Sequence, residues 1–252
     1  MDTTRKILML LPVPAPQAAH PLFAGQVPDA LKRPGSQVDF AFPREGARIL
    51  DSYYEDVLAS AFILDAACTA EDQGYHAVCI DTVTDTGIEA VRSRLSIPVV
   101  GAGETSFLLA ASLGTKFSIL TLWDRWSPAY RKVIARHGLE DRLASIRDID
   151  TRPDLDELLT GKEEVVFQAL EEAAHRAIED DGAAVIVLGS TTMYQSHQYL
   201  AEHLPVPVVN PALAGYLQCE FLLDLGVAHS KRSFPSPEVL NDSVLKSVPD
   251  RY

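Results

Sequence analysis

Apolar and polar positions along the chain form two alternating patterns. Short apolar runs rich in β-branched residues are typical of strands buried on both faces; they lie at 7–11, 38–42, 77–80, 98–100, 117–122, 143–147, 185–188 and 207–209. Longer helical patterns lie between them, at 52–74, 87–94, 105–113, 127–138, 163–181, 193–203 and 211–226. Strands that alternate with helices predict parallel pairing with right-handed crossovers, and therefore an α/β fold.

Two parts of this pattern look like copies of each other. The apolar run before Thr82 resembles the run before Ser190, and each is followed by a helical stretch and a Pro-Val-Val strand. Pro98 and Pro207 stand 109 positions apart, and Thr82 and Ser190 stand 108 apart. The constant spacing indicates an internal duplication. It predicts two pseudo-symmetric lobes, each a four-stranded, mainly parallel sheet flanked by helices, with a cleft between the lobes.

The duplication also suggests how the chain is divided. We expect a first lobe over 1–114, with the C-terminal segment packing back on it, a second lobe over 115–226 and a tail over 227–252. Thr82 and Ser190 then stand where a parallel strand ends and a helix begins, which is the usual place for a ligand in an open α/β sheet.

Composition narrows the class of partner. The chain has 252 residues and a formal net charge of -13, which argues against nucleic acid or an anionic membrane as the main partner and leaves a small-molecule substrate. Its 3 cysteines lack metal-ligand spacing, as expected of a reduced protein of the cytoplasm. No apolar run reaches membrane-spanning length, and the N-terminus has no signal-peptide pattern. We therefore expect a cytoplasmic protein without a metal site.

Several motifs resemble the aspartate/glutamate racemase superfamily, and its hydantoin racemase branch in particular. They are PVVGAGE at 98–104, LGTKFSILT at 113–121, DTG at 85–87, DGAAVIVLG at 181–189 and LGVAHSK at 225–231. The resemblance spans about 49–232. It implies two α/β lobes with an interlobe site for a small carbon acid, no cofactor, and assembly as a homo-oligomer.

The chain departs from the family pattern at the residues that matter most for chemistry. Racemases of this family place a cysteine at each strand end, and the resemblance implies that Thr82 and Ser190 stand at these positions. The family's polar first strand end is here a proline-rich segment that includes Pro12, and an acidic position after the last strand is here Asn210. Pro12 and Asn210 are therefore expected to line the cleft.

The exchange of thiols for hydroxyls changes the available chemistry. A cysteine thiol has a pKa of about 8.5, which can be lowered at a helix N-terminus, so that it can remove or return a proton. An unassisted serine or threonine hydroxyl is not ionised near neutral pH and needs a neighbouring base. We therefore expect that neither Thr82 nor Ser190 transfers the proton unaided.

Asp81 is the residue best placed to move the proton instead. It ends an apolar strand immediately before Thr82, and a carboxylate in a desolvated cleft can act as general base or acid. The alternative is a structural one, in which Asp81 accepts hydrogen bonds from nearby backbone N–H groups as a helix cap.

Hydroxyl-rich segments follow both strand ends. Thr82 and Thr84 in the first half, with Ser190, Thr191 and Thr192 in the second, could hold a substrate carboxylate or an enolate oxygen. Ordinary helix capping uses the same residue types. We assign Asp81, Thr82 and Ser190 catalytic roles and the three other threonines substrate binding.

Three aromatic residues follow the first strand of the second half. Trp123, Trp126 and Tyr130 could wall the cleft against an apolar substrate group, or they could pack inside the lobe. We include Trp123 and Tyr130 in the predicted substrate-binding set.

Three functions stay open from the sequence. The first is a cofactor-independent isomerase of the racemase or epimerase type, acting on a small carboxylate or cyclic amide by non-thiol proton transfer. The second is a lyase or hydrolase on the same scaffold, which would decarboxylate its substrate or hydrolyse a lactone or imide. The third is a homologue that binds a ligand without turnover.

Overall fold

A computed structural model describes residues 4–152 and 163–247. Its strands confirm all eight predicted runs to within two residues at each end. They are β1 (Arg5–Leu10), β2 (Ser36–Ala41), β3 (Ala77–Ile80), β4 (Val99–Gly101), β5 (Phe117–Thr121), β6 (Leu143–Asp148), β7 (Val185–Leu188) and β8 (Val208–Val209).

Helices lie between the strands, as predicted. They are α1 (His20–Ala24), α2 (Tyr53–Ala67), α3 (Ile88–Arg94), α4 (Ala102–Leu113), α5 (Ser127–Arg136), α6 (Glu163–Glu179), α7 (Ser196–His203) and α8 (Pro211–Leu225). Short 3-10 helices are formed by Gln17–Ala19, Asp29–Leu31, Asp124–Trp126, Glu140–Arg142, Thr191–Gln195 and Asp242–Ser247. The short α1 was not predicted, because it lies in the proline-rich segment, where Pro21 occupies the first turn, a position that tolerates proline.

The strands form two parallel sheets of equivalent topology. Their orders are β2-β1-β3-β4 and β6-β5-β7-β8. Leu10 pairs with Ile80 at the carboxyl edge of the first sheet, and Leu120 pairs with Leu188 at the same place in the second. The predicted α/β fold with two similar four-stranded lobes is confirmed.

Each lobe includes a helix that follows the other lobe's sheet in the chain. Phe107 of α4, which follows the first sheet in the chain, packs in a core cluster with Phe117 and Ile119 of the second sheet. Tyr216 and Cys219 of α8, which follows the second sheet, pack with strands of the first. The division by packing therefore differs from the division by chain order at 114 and 226.

Polar contacts also join the lobes near the carboxyl ends of the strands. The indole Nε1 of Trp126 donates to the backbone oxygen of Ile49 at 2.7 Å. Lys132 pairs with Asp56 at 2.8 Å. These contacts hold the segment before α2 and the first turn of α2 against the second lobe.

Residues after α8 return to the first lobe. The ammonium group of Lys231 donates to the backbone oxygens of Arg92, Ser93 and Leu95, at the C-terminal end of α3, at 2.6 to 3.0 Å. A cation at this end of a helix satisfies carbonyl groups that have no partner inside the helix. Within the described ranges, no helix combines the length and apolar character needed to cross a membrane.

Candidate active site

The two strand ends singled out by the duplication meet at the interface of the lobes. The backbone N–H of Asp81 donates to Leu10 at 2.8 Å, which extends the pairing of β3 with β1 by one residue. In the second lobe the N–H of Gly189 donates to Leu120 at 2.6 Å in the equivalent place. The hydroxyl of Thr191 then donates to the backbone oxygen of Asp81 at 3.2 Å. The structure thus brings together Asp81 and Thr191, one from each half.

Asp81 is the most unusual group at this contact. It is 1% exposed, and its carboxylate oxygens accept no hydrogen bond from a described backbone N–H group. Burial raises the pKa of its carboxyl to about 7, and the polar side chains of Thr191 and Gln26 beside it, which favour the charged form, offset only part of that rise. Because the backbone N–H groups that a cap would use make no bond to this side chain, the helix-capping alternative does not describe Asp81.

Gln26 lies beside Asp81 and was not predicted as a site residue. It follows α1, is 1% exposed, and its side chain lies against the carboxylate of Asp81, where it favours the charged form. Tyr194 of the second lobe fixes the segment before Gln26, because its hydroxyl donates to the backbone oxygen of Leu22 at 2.8 Å. A Cβ at Gly25 would lie 2.7 Å from that hydroxyl oxygen, so glycine is needed for the approach.

The hydroxyl groups after both strand ends bond to one another. In the first half Thr82 contacts Thr84 at 3.0 Å, and Thr84 contacts Thr86 at 2.8 Å. In the second half Ser190 contacts Thr192 at 2.8 Å and accepts from the backbone N–H of Thr192 at 3.3 Å. The local capping expected for these residue types is therefore present, while Thr191 makes the contact between the lobes.

A second buried aspartate, Asp85, lies shortly after the end of β3 in the first lobe. Asp85 accepts from the backbone N–H groups of Gly103 at 2.8 Å and Glu104 at 2.7 Å, so it caps α4 rather than α3. Burial and the nearby charge of Glu104 raise its pKa to about 8, although the two N–H bonds favour the charged form. A Cβ at Gly101 would lie 2.4 Å from the Asp85 carboxylate. Glycine at position 101, within the PVVGAGE motif, therefore leaves room for the side chain of Asp85.

Glu104 forms a buried ion pair behind the site. It binds the guanidinium of Arg92, which also donates to the backbone oxygen of Val99. His137 lies 3.3 Å from its second oxygen. Burial alone would raise the pKa of Glu104, but the bonds from His137 and Arg92 outweigh it and hold the pKa at about 2. This group stays ionised and joins α3 to α4.

The two aromatic candidates lie in different surroundings. Tyr130 is buried in the core of the second lobe, where its hydroxyl donates to the backbone oxygen of Gly189 at 2.7 Å and contacts Thr121 at 2.9 Å. Tyr130 thus supports the end of β7. Of the two roles considered for it, lining the cleft or packing inside the lobe, this contact is packing. Trp123 is half-buried beneath the guanidinium of Arg125. Substrate binding by either residue stays a prediction.

The remaining candidates stand at the other two strand ends. Pro12 is buried just after β1. Asn210 caps α8, its side-chain oxygen accepting from the backbone N–H groups of Ala212 at 3.1 Å and Leu213 at 3.4 Å. A direct role of either residue toward a substrate also stays a prediction.

All three cysteines lie in the interior. Cys79 of β3 faces Cys219 of α8 in the core of the first lobe, and this contact together with burial raises the pKa of the Cys79 thiol. Cys68 ends α2 and donates to the backbone oxygen of Asp65 at 3.1 Å. None is exposed beyond 3%.

Sequence comparison relates the chain to characterised racemases. The model of the Asp/Glu/hydantoin racemase family matches residues 22–219. Hydantoin racemase of Pseudomonas sp. (strain NS671) is 30% identical over 214 residues, 82% of each protein. Hydantoin racemase of Paenarthrobacter aurescens is 28% identical over 206 residues, 81% of this chain and 86% of the relative.

Comparison with solved structures also finds racemases with a similar fold. Allantoin racemase from Klebsiella pneumoniae superposes with a TM-score of 0.86 at 26% identity, covering 94% of this chain and 95% of the other. Arylmalonate decarboxylase, at 18% identity and a TM-score of 0.60, covering 88% of this chain and 94% of the other, shares the fold. The repeated lobes, the paired strand ends and these similarities together place the chain in the Asp/Glu/hydantoin racemase family.

Proposed function

We propose that this protein is a cofactor-independent isomerase that transfers a proton on a small carbon acid, either a carboxylate or a cyclic amide, through Asp81 instead of a thiol. Membership of a racemase family supports the reaction class. The observation that carries the residue assignment is the buried carboxylate of Asp81, without an ion pair to a described lysine or arginine, at the contact between the two lobes.

The acidity of Asp81 suits this role. A general base works best when its pKa lies near the working pH, because it is then both available and reactive. A pKa of about 7 meets this condition, whereas an exposed aspartate would be too weak a base. In the forward step the carboxylate takes the proton from the substrate carbon and leaves an enolate.

Hydroxyl groups of both lobes would hold the enolate oxygen. Thr82, Ser190 and Thr191 are the donors assigned to it, with Thr84 and Thr192 keeping Thr82 and Ser190 in place through the hydroxyl contacts. Thr191 would turn its one hydroxyl proton from the backbone oxygen of Asp81 to the enolate. Donors fixed before the reaction stabilise developing charge without the cost of reorganisation. Pro12, Trp123, Tyr130 and Asn210 complete the proposed surroundings of the substrate.

The positions of the cysteines support a route without sulfur. A thiol that reacts as an acid or base is usually partly exposed and has a lowered pKa. Cys79 is fully buried with a raised pKa. The exchange of two family thiols for Thr82 and Ser190 is part of this proposal.

A lyase or hydrolase is the second candidate, and one observation favours it. Among the described residues, the contact between the lobes presents one buried carboxylate with neither an ion pair nor a backbone N–H donor, Asp81, while racemisation needs a second acid on the opposite face. Decarboxylation needs only one: the bond to the carboxylate breaks, CO₂ leaves, and the enolate takes a proton from Asp81. For a lactone or imide, Asp81 would instead activate water.

The test is turnover in D₂O with 5-methylhydantoin, a lactone and 2-methylmalonate, followed by the same assays on Asp81→Asn. An isomerase introduces deuterium at the substrate carbon, a decarboxylase releases CO₂ and leaves one deuterium in the product, and a hydrolase places none on carbon. Asp141→Asn, at an exposed position, is the matched control and should keep full activity. Full activity in Asp81→Asn would remove Asp81 from the mechanism.

A further inference from the structure

Three threonine hydroxyls after β3 form a continuous hydroxyl row, made of Thr82, Thr84 and Thr86. The hydroxyl oxygen of Thr86 lies 2.8 Å from that of Thr84, which lies 3.0 Å from that of Thr82. All three residues are buried, and Thr86, at 2% exposed, is the most buried of them. Thr82 follows Asp81 directly in the chain. The row therefore leads from a fully enclosed hydroxyl to the strand end at which the proposed reaction takes place.

The protons of the hydroxyl row favour one direction for its hydrogen bonds. Each hydroxyl carries one proton, so two contacts among three hydroxyls use two protons and leave one over. A head-to-tail order is stronger than one in which both neighbours donate to Thr84, because bonds in sequence polarise one another. The proton left over then belongs to Thr82 or to Thr86. Among the described residues, no second acceptor contacts the Thr86 hydroxyl, so a proton left there would be buried without a partner.

The second half of the chain repeats the contact nearest to the strand end. The hydroxyl of Ser190 contacts that of Thr192 at 2.8 Å. In both halves the strand-end oxygen also accepts from the backbone N–H two residues later, at 3.4 Å for Thr82 and at 3.3 Å for Ser190. Both strand-end hydroxyls are thus placed as acceptors from their own segment, and their own protons remain available. The first half differs by one supporting hydroxyl, because position 194, the equivalent of Thr86, is a tyrosine.

We infer that Thr86 is a positioning residue: its hydroxyl donates to Thr84 and Thr84 donates to Thr82, so that the proton of Thr82 is kept for the enolate oxygen of the substrate. The inference rests on the proposed function, which assigns Thr82 to that oxygen. Two hydroxyls that donate in sequence also make Thr82 a stronger donor than an isolated hydroxyl. Without Thr86, the oxygen of Thr84 has a lone pair free, and the proton of Thr82 can turn toward it and away from the substrate.

Neutron diffraction from crystals of the parent protein soaked in D₂O tests the direction itself. We expect the deuterium of Thr86 between Thr86 and Thr84, the deuterium of Thr84 between Thr84 and Thr82, and the deuterium of Thr82 outside the hydroxyl row. The reverse order, or two deuterium atoms that both point at Thr84, would overturn the inference. This measurement needs neither a variant nor a substrate.

Steady-state kinetics test the consequence for the reaction, with whichever of 5-methylhydantoin and 2-methylmalonate the parent converts. Thr86→Val keeps the shape of the side chain and removes the hydroxyl, so we expect kcat to fall roughly 5-fold while KM changes less than about 2-fold. Thr86→Ser restores the hydroxyl and should restore kcat. Ser118→Ala is the matched control, because it removes a fully buried hydroxyl from a 2.8 Å contact with Ser145 inside the second sheet, and its kcat should not change.

The two measurements separate this inference from the proposed function and from a role in folding. The expected deuterium order without turnover of either probe would retain the direction of the row and refute the proposed function. Turnover in which Thr86→Val keeps the parent's kcat would do the reverse. A lower melting temperature of Thr86→Val with kcat unchanged, or an equal loss of kcat in Thr86→Ser, would assign Thr86 a structural role and overturn the inference.

Discussion

The hydroxyl of Thr191 donates to the backbone oxygen of Asp81 at 3.2 Å, although the two residues are 110 positions apart. This bond joins the end of β3 to the 3-10 turn after β7, so the equivalent strand ends of the two lobes share one site. The carboxyl group of Asp81 is buried at this contact, and its protonation is therefore linked to the stability of the folded protein.

Replacing Asp81 by asparagine should make the protein more stable above neutral pH. Burial raises the pKa of Asp81 to about 7, so the charged form destabilises the folded state as the pH rises from the unfolded value near 4 through 7. The advantage of Asp81→Asn over the parent should grow by roughly 3 kcal/mol between pH 5 and pH 8. Chemical denaturation at both pH values measures it.

The exposed Asp141→Asn variant is the control for this series, and its stability relative to the parent should stay constant over the same interval. An Asp81→Asn variant whose advantage is independent of pH would show that the aspartate is not protonated in the folded protein near neutrality.

Tyr194→Phe should weaken substrate binding without removing the catalytic group. The variant loses the 2.8 Å bond to the backbone oxygen of Leu22 and frees the segment that carries Gln26. We expect KM for 5-methylhydantoin to rise about 5-fold with kcat changed less, and stability to fall by about 1 kcal/mol. Steady-state kinetics and denaturation measure the two effects.

Tyr199→Phe provides the matched comparison, because it also removes a tyrosine hydroxyl from a hydrogen bond, here to Glu171 at 2.5 Å. Its KM should not change. Equal changes in KM for the two variants would refute the role assigned to Tyr194.

Removing the charge of Glu104 should destabilise the fold at neutral pH. Glu104→Gln leaves Arg92 without its ionised partner in a largely buried place, and breaking such pairs costs about 3–5 kcal/mol. The pKa of Glu104 is held at about 2, so the parent keeps this stabilisation above pH 4.5 and loses it as the pH falls toward 2. The difference between parent and variant, followed by denaturation from pH 6 to pH 2.5, should therefore shrink. A difference that persists at pH 2.5 would indicate lost packing instead.

Charged residues on the exposed face of α4 and α8 should abolish self-association. The two helices pack on each other, and they expose Leu108, Leu217 and Phe221 to 48%, 42% and 49%. Contiguous apolar surface of this kind marks interaction sites, and the homo-oligomer implied by the family makes a second copy the expected partner. Light scattering should report an oligomer for the parent and a monomer for Leu217→Glu with Phe221→Glu. A monomeric parent would contradict the expectation.

Most of the fold was predictable because it depends on local pattern. The run before Thr82 and the run before Ser190 have the length and composition of buried parallel strands, and their constant spacing predicted two equivalent sheets. The exchange of α4 and α8 was not predictable in this way. Both helices are apolar on more than one side, so their sequences do not indicate which sheet they cover.

The candidate site was predictable only in part. Asp81 and Thr191 could be proposed because both stand at strand ends of the repeat, and chain order alone brings such ends to one edge of a sheet. Gln26 has no comparable signal, since it follows a short helix in a proline-rich segment and belongs to no repeat. Its place beside Asp81 comes from Tyr194, whose contact with Leu22 spans 172 positions.

The sequence by itself determined the strands, the duplication and the chemical identity of the groups at the strand ends, because these depend on neighbouring residues and on spacing. Only the tertiary structure decided which of those groups lost their water and which groups replaced it. Desolvation depends on what distant segments place over a side chain. It separates Asp81, buried against neutral side chains, from Asp85, buried with two backbone N–H donors.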